Sequence, residues 1–133
     1  MSFTSEVNIN QLNELYPQIF PQVNDKNGVF GDKAQWYGLV DQNRLVAFCT
    51  IGVVNDQTIF LYNVGVHPTS RHQGFGCKLM ENIIEHYKKY DIVLFVNKKN
   101  RIAIKLYQKY NFKLAERLFI PPLGEICMKR CYK

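Results

Sequence analysis

The pattern of apolar and polar residues predicts a mixed α/β (α+β) fold in which an antiparallel meander leads into a strand–helix–strand crossover. Three observations carry this expectation. Residues 36–40, 45–54 and 58–66 read as consecutive strands joined by tight turns at Asp41-Gln42-Asn43-Arg44 and Asn55-Asp56-Gln57. After Pro68 the period becomes helical: Leu79, Met80, Ile83, Ile84 and Tyr87 fall on one face of a helix running from about Gly74 to Tyr90. Residues 92–96 (Ile-Val-Leu-Phe-Val) then form a short unbroken apolar run, the pattern of a strand buried on both faces. Strands joined through a helix in this way are expected to be parallel neighbours.

The remaining elements follow in order. Asn8 or Asn10 can cap a first helix with Ile9, Leu12, Leu15, Tyr16 and Ile19 on its apolar stripe, ended by Pro21. Residues 21–32 are loop-like, with room for one short helical turn. A third helix is expected over residues 100–110, with Ile102, Ala103, Leu106 and Tyr107 facing inward. Residues 112–120 and 125–131 close the chain as two strands around Pro121-Pro122-Leu123-Gly124.

Composition bounds what such a chain does. Its 133 residues suit a single domain, 1–133, with a sizeable core. An apolar content of 47% with 14% aromatics excludes intrinsic disorder. No apolar run approaches the roughly 20 residues of a membrane span, and Met1-Ser2-Phe3-Thr4-Ser5-Glu6 lacks secretory-signal character, so a cytoplasmic location is expected. Cys49, Cys77, Cys127 and Cys131 form no C-x-x-C pair, so neither a metal site nor a disulfide framework is expected. The net charge of +6 is densest at Lys98-Lys99-Asn100-Arg101 with Lys105. No nucleic-acid module accompanies it, and a polyanionic cofactor accounts for its placement as well as RNA does; no nucleic-acid or membrane partner is expected.

The most informative segment is 64–76, Val-Gly-Val-His-Pro-Thr-Ser-Arg-His-Gln-Gly-Phe-Gly: an apolar strand, a proline break, then glycines opening a helix. A helix start offers backbone N–H groups without intrahelical partners and the positive end of the helix dipole. Gly74 and Gly76 remove the side chains that would hold phosphate oxygens away from those donors. The pattern is neither the dinucleotide fingerprint, since Leu79 occupies the third glycine position, nor a phosphate loop with a trailing Lys-Ser/Thr. By itself it is also what a plain glycine-bearing turn looks like. Cys77 follows Gly76 directly; it can lend its N–H to the loop, or serve as a thiol of lowered pKa at a helix start.

In this context the chain resembles the GNAT family of N-acetyltransferases. Arg71-x-x-Gly74-x-Gly76 matches the pyrophosphate signature Gln/Arg-x-x-Gly-x-Gly/Ala. Asn100-x-x-Ala103-x-x-Leu106-Tyr107-x-Lys109-x-Asn111-Phe112 matches a second family cluster, with Asn111 where glycine is usual. Asparagine tolerates the left-handed conformation that ends a helix, so the departure is mild. The N-terminal third carries no motif. The resemblance implies a mixed, mostly antiparallel central sheet of about six to seven strands, flanked by about four helices, with splayed central parallel strands.

It also implies roles. The backbone of Val64, Gly65 and Val66, freed by a bulge near Gly65, would pair with the pantetheine of acetyl-CoA. Arg71 and the N–H groups of His72, Gln73, Gly74, Phe75, Gly76 and Cys77 would hold the pyrophosphate. Asn100 would hydrogen-bond the pantetheine, and Tyr107 would protonate the departing thiolate as the amine attacks directly. By position, Tyr107 is also one more aromatic on a core stripe. No carboxylate lies in 58–63 or 92–96, so the base is open among Glu125, His67 and a water held by Tyr62 or Asn63. The acceptor would be a primary amine on a small molecule or peptide, approaching over Val29-Phe30 and residues 120–123. A CoA-binding sensor without catalysis is the alternative, and a monomer or a homodimer is compatible with exposed closing strands.

Overall fold

A computed structural model describes residues 1–21, 33–115 and 119–132. Their strands are β1 (Ser2–Thr4), β2 (Gln35–Asp41), β3 (Arg44–Asn55), β4 (Thr58–Val66), β5 (Asp91–Asn97), β6 (Lys113–Leu114) and β7 (Glu125–Arg130), in the sheet order β1-β2-β3-β4-β5-β7-β6. The described helices are α1 (Ile9–Ile19), α2 (Phe75–His86) and α3 (Arg101–Lys109), with a 3-10 turn at Pro68–Ser70. β4 and β5 pair in parallel, and the other pairs with described register are antiparallel. The mixed, mostly antiparallel sheet expected from the sequence is present. The chain forms two compact units, Met1–Gly52 with Asn63–His86, and Val53–Tyr62 with Tyr87–Lys133.

In the first unit, Asn8 caps α1 by accepting from the N–H groups of Asn10 and Gln11 at 3.0 and 3.1 Å. Leu12, Leu15 and Tyr16 of α1 pack on Leu45 and Phe48, with Val7, Ile19, Phe20 and Trp36 around them. Ile9, expected on that stripe, is exposed. It occupies the first helical position, before the helix has turned its apolar face to the sheet. Pro17 lies inside the helix, which ends at Ile19 with Phe20 as its C-cap, directly before Pro21 as expected. Side chains alternate along β2, so Trp36 joins the α1 core while Tyr37 approaches His86 of α2, Oη to Nε2 3.3 Å. The two helices therefore cover opposite faces of this half of the sheet.

β1 escaped the sequence reading. Three residues are too few for a period, and its pairing with β2 (Ser2↔Val40 to Thr4↔Gly38) makes it a strand. The β2–β3 turn takes left-handed backbone at Gln42 (φ 52°) and Asn43 (φ 62°), the geometry of a two-residue hairpin. The register then passes from Leu39↔Ala47 to Val40↔Leu45, so Val46 is the extra residue of a bulge; its carbonyl accepts from the His67 N–H at 2.7 Å. α2 stops at His86, so Tyr87 lies beyond it rather than on its face.

In the second unit, the crossover expectation holds: β4 and β5 run parallel from Thr58↔Asp91 to Leu61↔Leu94. Ile92, Val93 and Leu94 are fully buried, as the unbroken apolar run requires. β7 covers the other edge of β5, from Ile92↔Arg130 to Asn97↔Glu125. The stripe of α3 is displaced from the expected one: Ile102 is 82% exposed and Ile104 turns partly inward with Ala103, Leu106 and Tyr107. At only nine residues, α3 offers two turns in which either isoleucine satisfies the period, and packing selects one. β6 is two residues long rather than the expected 112–120; residues 116–118 lie outside the described residues.

Candidate active site

One group of candidate residues lies at the end of β4 and in the turn into α2. Asn63, half-buried, has a left-handed φ of 53° within the strand. Its Oδ1 accepts from Tyr16 Oη and its Nδ2 donates to Thr50 Oγ1, both at 3.3 Å, and Tyr16 and Thr50 are buried. The left-handed backbone of β4 thus lies two residues before Gly65, on a residue whose side chain is tied to Tyr16 of α1. Gly65 serves another need. A Cβ there would lie 2.8 Å from Phe48 Cζ and 3.0 Å from Ile19 Cδ1, so the glycine lets β4 press against the aromatic core. Val64 and Val66 are half-buried beside it, and the Val66 carbonyl accepts from Arg71 Nε at 3.3 Å.

The turn itself begins at His67, whose Nδ1 accepts from the Thr69 N–H at 3.2 Å. Burial first, and then the Arg44 guanidinium, hold the His67 imidazole below its ordinary pKa range; Arg71 acts in the same sense and Glu14 in the opposite one. His72 (φ 65°) and Gly74 (φ 80°) both take left-handed backbone, a geometry that aims successive N–H groups to one side. Gln73 Nε2 donates back to the Thr69 carbonyl at 3.3 Å. In α2 the Lys78 N–H donates to Gly74 O at 3.0 Å, so the N–H groups of Phe75, Gly76 and Cys77 precede the helical ladder and have no intrahelical acceptor. Nothing lies within 4 Å of a Cβ built on Gly74, whereas one on Gly76 would touch only Val66 Cγ2 at 3.8 Å. Free donors, the positive end of an α2 of 12 residues and an open approach suit a pyrophosphate.

A second group of candidate residues lies in the other unit. Asn100 caps α3, its Oδ1 accepting from the Ala103 N–H at 3.1 Å. Tyr107, 7% exposed, packs against buried Phe112 with ring centroids 5.6 Å apart. Asn111 ends the helix at φ 69°, and the Phe112 N–H closes on Tyr107 O at 3.1 Å. The structure brings residues 64–77 together in one unit, and Asn100 with Tyr107 in the other. Of the suggested bases, His67 Nδ1 and the Asn63 amide are engaged as described, and Glu125 opens β7 half-buried. Ile120 and Leu123, expected to face the acceptor, are fully exposed, and Val29-Phe30 lie outside the described residues. No group of three His, Cys, Asp or Glu able to hold a metal ion occurs among the described residues. Sequence reasoning missed Tyr16, Thr50 and Arg44, whose neighbours at the site are distant in the chain.

Comparison with known proteins agrees with this geometry. Residues 5–112 match the model of the acetyltransferase (GNAT) family. Over 88 residues, 64% of this chain, the sequence is 31% identical to the [ribosomal protein bS18]-alanine N-acetyltransferase of Escherichia coli K12, and the match spans 59% of that relative's length. The crystal structure of the ribosomal-protein-S18-alanine N-acetyltransferase from Escherichia coli superposes with a TM-score of 0.75 at 22% identity, covering 96% of this chain and 90% of that one. A GNAT family acetyltransferase from Elizabethkingia anophelis, with acetyl-CoA bound, gives a TM-score of 0.76 at 18% identity, covering 96% and 95%. Both likenesses extend over nearly the whole fold. This chain belongs to the acetyltransferase (GNAT) family.

Proposed function

We propose that this chain is a single-domain N-acetyltransferase that moves the acetyl group of acetyl-CoA to a primary amine. The observation that carries the reading is the start of α2, where Gly74 at φ 80° precedes the N–H groups of Phe75, Gly76 and Cys77 that the helix leaves without acceptors. In this reading those donors, with Arg71, His72 and Gln73, hold the pyrophosphate. The backbone of Val64, Gly65 and Val66 aligns the pantetheine like an added strand, and the Asn100 amide, whose oxygen caps α3, donates to it through Nδ2. The acceptor nitrogen attacks the thioester carbonyl carbon directly, the carbon–sulfur bond breaks, and Tyr107 Oη gives its proton to the sulfur. A phenol with a pKa of about 10 is matched to protonating a thiolate. The proton released by the ammonium leaves to solvent.

The relative that acts on an alanine of a ribosomal protein makes a peptide amine a reasonable acceptor class beside small molecules. A cytoplasmic location and a monomer or homodimer belong to the same proposal; no described helix is long and apolar enough to cross a membrane. One observation favours the second reading, a CoA-binding module without catalysis: the one carboxylate on β4 and β5, Asp91, is spent on Lys129 at 3.3 Å and the Tyr132 N–H at 3.0 Å.

Calorimetry with acetyl-CoA tests the shared premise, and release of free CoA thiol against a panel of peptide and small-molecule amines separates the two readings. Tyr107→Phe is expected to lower turnover about 10²-fold, the lower end of general-acid contributions, while acetyl-CoA affinity stays within twofold. Unchanged turnover removes Tyr107 from the mechanism.

A further inference from the structure

Arg44 is an exposed arginine at the first position of β3 whose Nη2 is nevertheless turned onto the residues after β4. Its Nη2 donates to Thr69 Oγ1 at 2.6 Å and to Ser70 Oγ at 3.4 Å, and lies 3.5 Å from His67 Nδ1. Thr69 Oγ1 in turn is 2.9 Å from His67 Nδ1. One guanidinium thus meets three of the four residues between β4 and Arg71. The backbone beneath it is clamped as well. Gln11 of α1 donates from Nε2 to Asn43 O at 3.3 Å and accepts from the Leu45 N–H at 2.6 Å, on either side of Arg44. The left-handed pair Gln42 and Asn43 leaves the hairpin little freedom to move.

We propose that Arg44 is a positioning residue for the phosphate loop, locking the 67–70 turn so that the amides of 72–77 are held ready for the pyrophosphate. The proposal rests on reading 71–77 as that loop. Its physical basis is the asymmetry of the contacts. No carboxylate lies within ion-pairing distance of Arg44 among the described residues, so its charge-assisted bonds are spent on hydroxyls of a turn. Apart from Arg44, that turn is held mainly by backbone: Ser70 N–H to His67 O at 2.8 Å, Thr69 N–H to His67 Nδ1, and His67 N–H to Val46 O at 2.7 Å, with Gln73 Nε2 on the Thr69 carbonyl. Pro68 and Thr69 are exposed, while Ser70 is buried. A few tenths of an ångström of drift there would pass directly into the amides that follow, where binding geometry is strict.

The same contacts make the turn sensitive to protonation. His67 Nδ1 accepts from Thr69 N–H, so the neutral ring carries its proton on Nε2. Protonation would turn Nδ1 into a donor facing the Thr69 amide and the Arg44 guanidinium. The charged groups facing His67 are Arg44 from β3, Arg71 from the loop and Glu14 from α1. Acetyl-CoA affinity is therefore full above the ordinary imidazole range and falls as pH drops through the lowered pKa. Removing the Arg44 charge raises that pKa and moves the fall to higher pH.

The experiment compares wild type, Arg44→Lys, Arg44→Gln and Thr69→Val by calorimetry with acetyl-CoA between pH 5 and 8, with steady-state rates alongside. Arg44→Gln is expected to raise Kd and KM for acetyl-CoA about tenfold, leaving kcat at saturation and the acceptor KM within twofold. Arg44→Lys should recover part of the loss. The pH of half-maximal affinity should rise in the glutamine variant and not in the lysine variant. Thr69→Val, which keeps the charge and removes the short acceptor, should reproduce the affinity loss should Arg44→Gln fold poorly. If wild type binds acetyl-CoA and these variants bind it equally well with an unmoved pH midpoint, Arg44 is a surface tether and the proposal is overturned. If wild type binds no acetyl-CoA, the reading of the loop fails first and takes this proposal with it.

Discussion

Gly65 and Gly74 are glycines for different physical reasons, and their replacements should behave differently. At Gly65 an alanine methyl would push into Phe48, itself fully buried, at 2.8 Å. Gly65→Ala should therefore cost about 1–3 kcal/mol, the range for overpacking a core, read as a lower midpoint in urea. At Gly74 the space is open and the cost is in the backbone, φ 80°, where an L-residue loses about 1–2 kcal/mol. Gly74→Ala is expected to weaken acetyl-CoA binding more than it lowers stability, and Gly76→Ala to fold normally. The thiols offer a second check at this scale. Burial pushes the Cys49 and Cys127 thiols up, while Cys131 is exposed and Cys77 half-buried. Titration of native protein with a thiol reagent should show fast reaction at Cys131 and slower reaction at Cys77, with all four reacting in denaturant. Under the proposed function acetyl-CoA protects Cys77; unaltered reactivity in its presence would remove that residue from the phosphate loop.

At the scale of elements, the two ends of α3 decide how the second cluster is interpreted. Asn100 at its start is both a helix cap and the proposed pantetheine donor. Asn100→Ala should cost about 1 kcal/mol through loss of the cap, and Asn100→Asp should restore it, because aspartate caps equally well. Aspartate has no amide to donate, so stability recovered without recovered acetyl-CoA affinity separates the two roles. At the other end, Asn111 at φ 69° stands where the family usually has glycine. Asn111→Gly should change stability by only a few tenths of a kcal/mol, and Asn111→Ala should cost about 1–2 kcal/mol. Equal urea midpoints for the two variants would mean that the helix end does not depend on that backbone conformation.

Over the whole molecule, the parallel β4–β5 pairing is the topological feature that a meander alone cannot produce. It requires the crossover through α2, and α2 begins at the glycine turn, so the fold places a helix N-terminus at the end of a central strand. Saturating acetyl-CoA should stabilise this arrangement by mass action. At 100 times Kd the gain is about 2.7 kcal/mol, enough to raise Tm by several degrees. No shift at millimolar acetyl-CoA would speak against the proposed function itself.

The amino-acid sequence by itself determined the fold class, the order of most elements and the family, because these rest on local periodicity and on two motifs whose spacing lies along the chain. The crossover and the buried run at 92–96 were legible for that reason, as was the left-handed end of α3 at Asn111. Short pieces were not: β1 and β6 exist through pairing with a neighbour, and the choice between Ile102 and Ile104 is made by what lies beneath α3. Only the tertiary structure revealed how the end of β4 is supported. Tyr16 meets Asn63 across 47 residues and Arg44 meets Thr69 across 25, so no local pattern records either contact. Motifs mark where the chain offers free backbone donors. How firmly those donors are held depends on side chains that only folding brings within hydrogen-bonding distance.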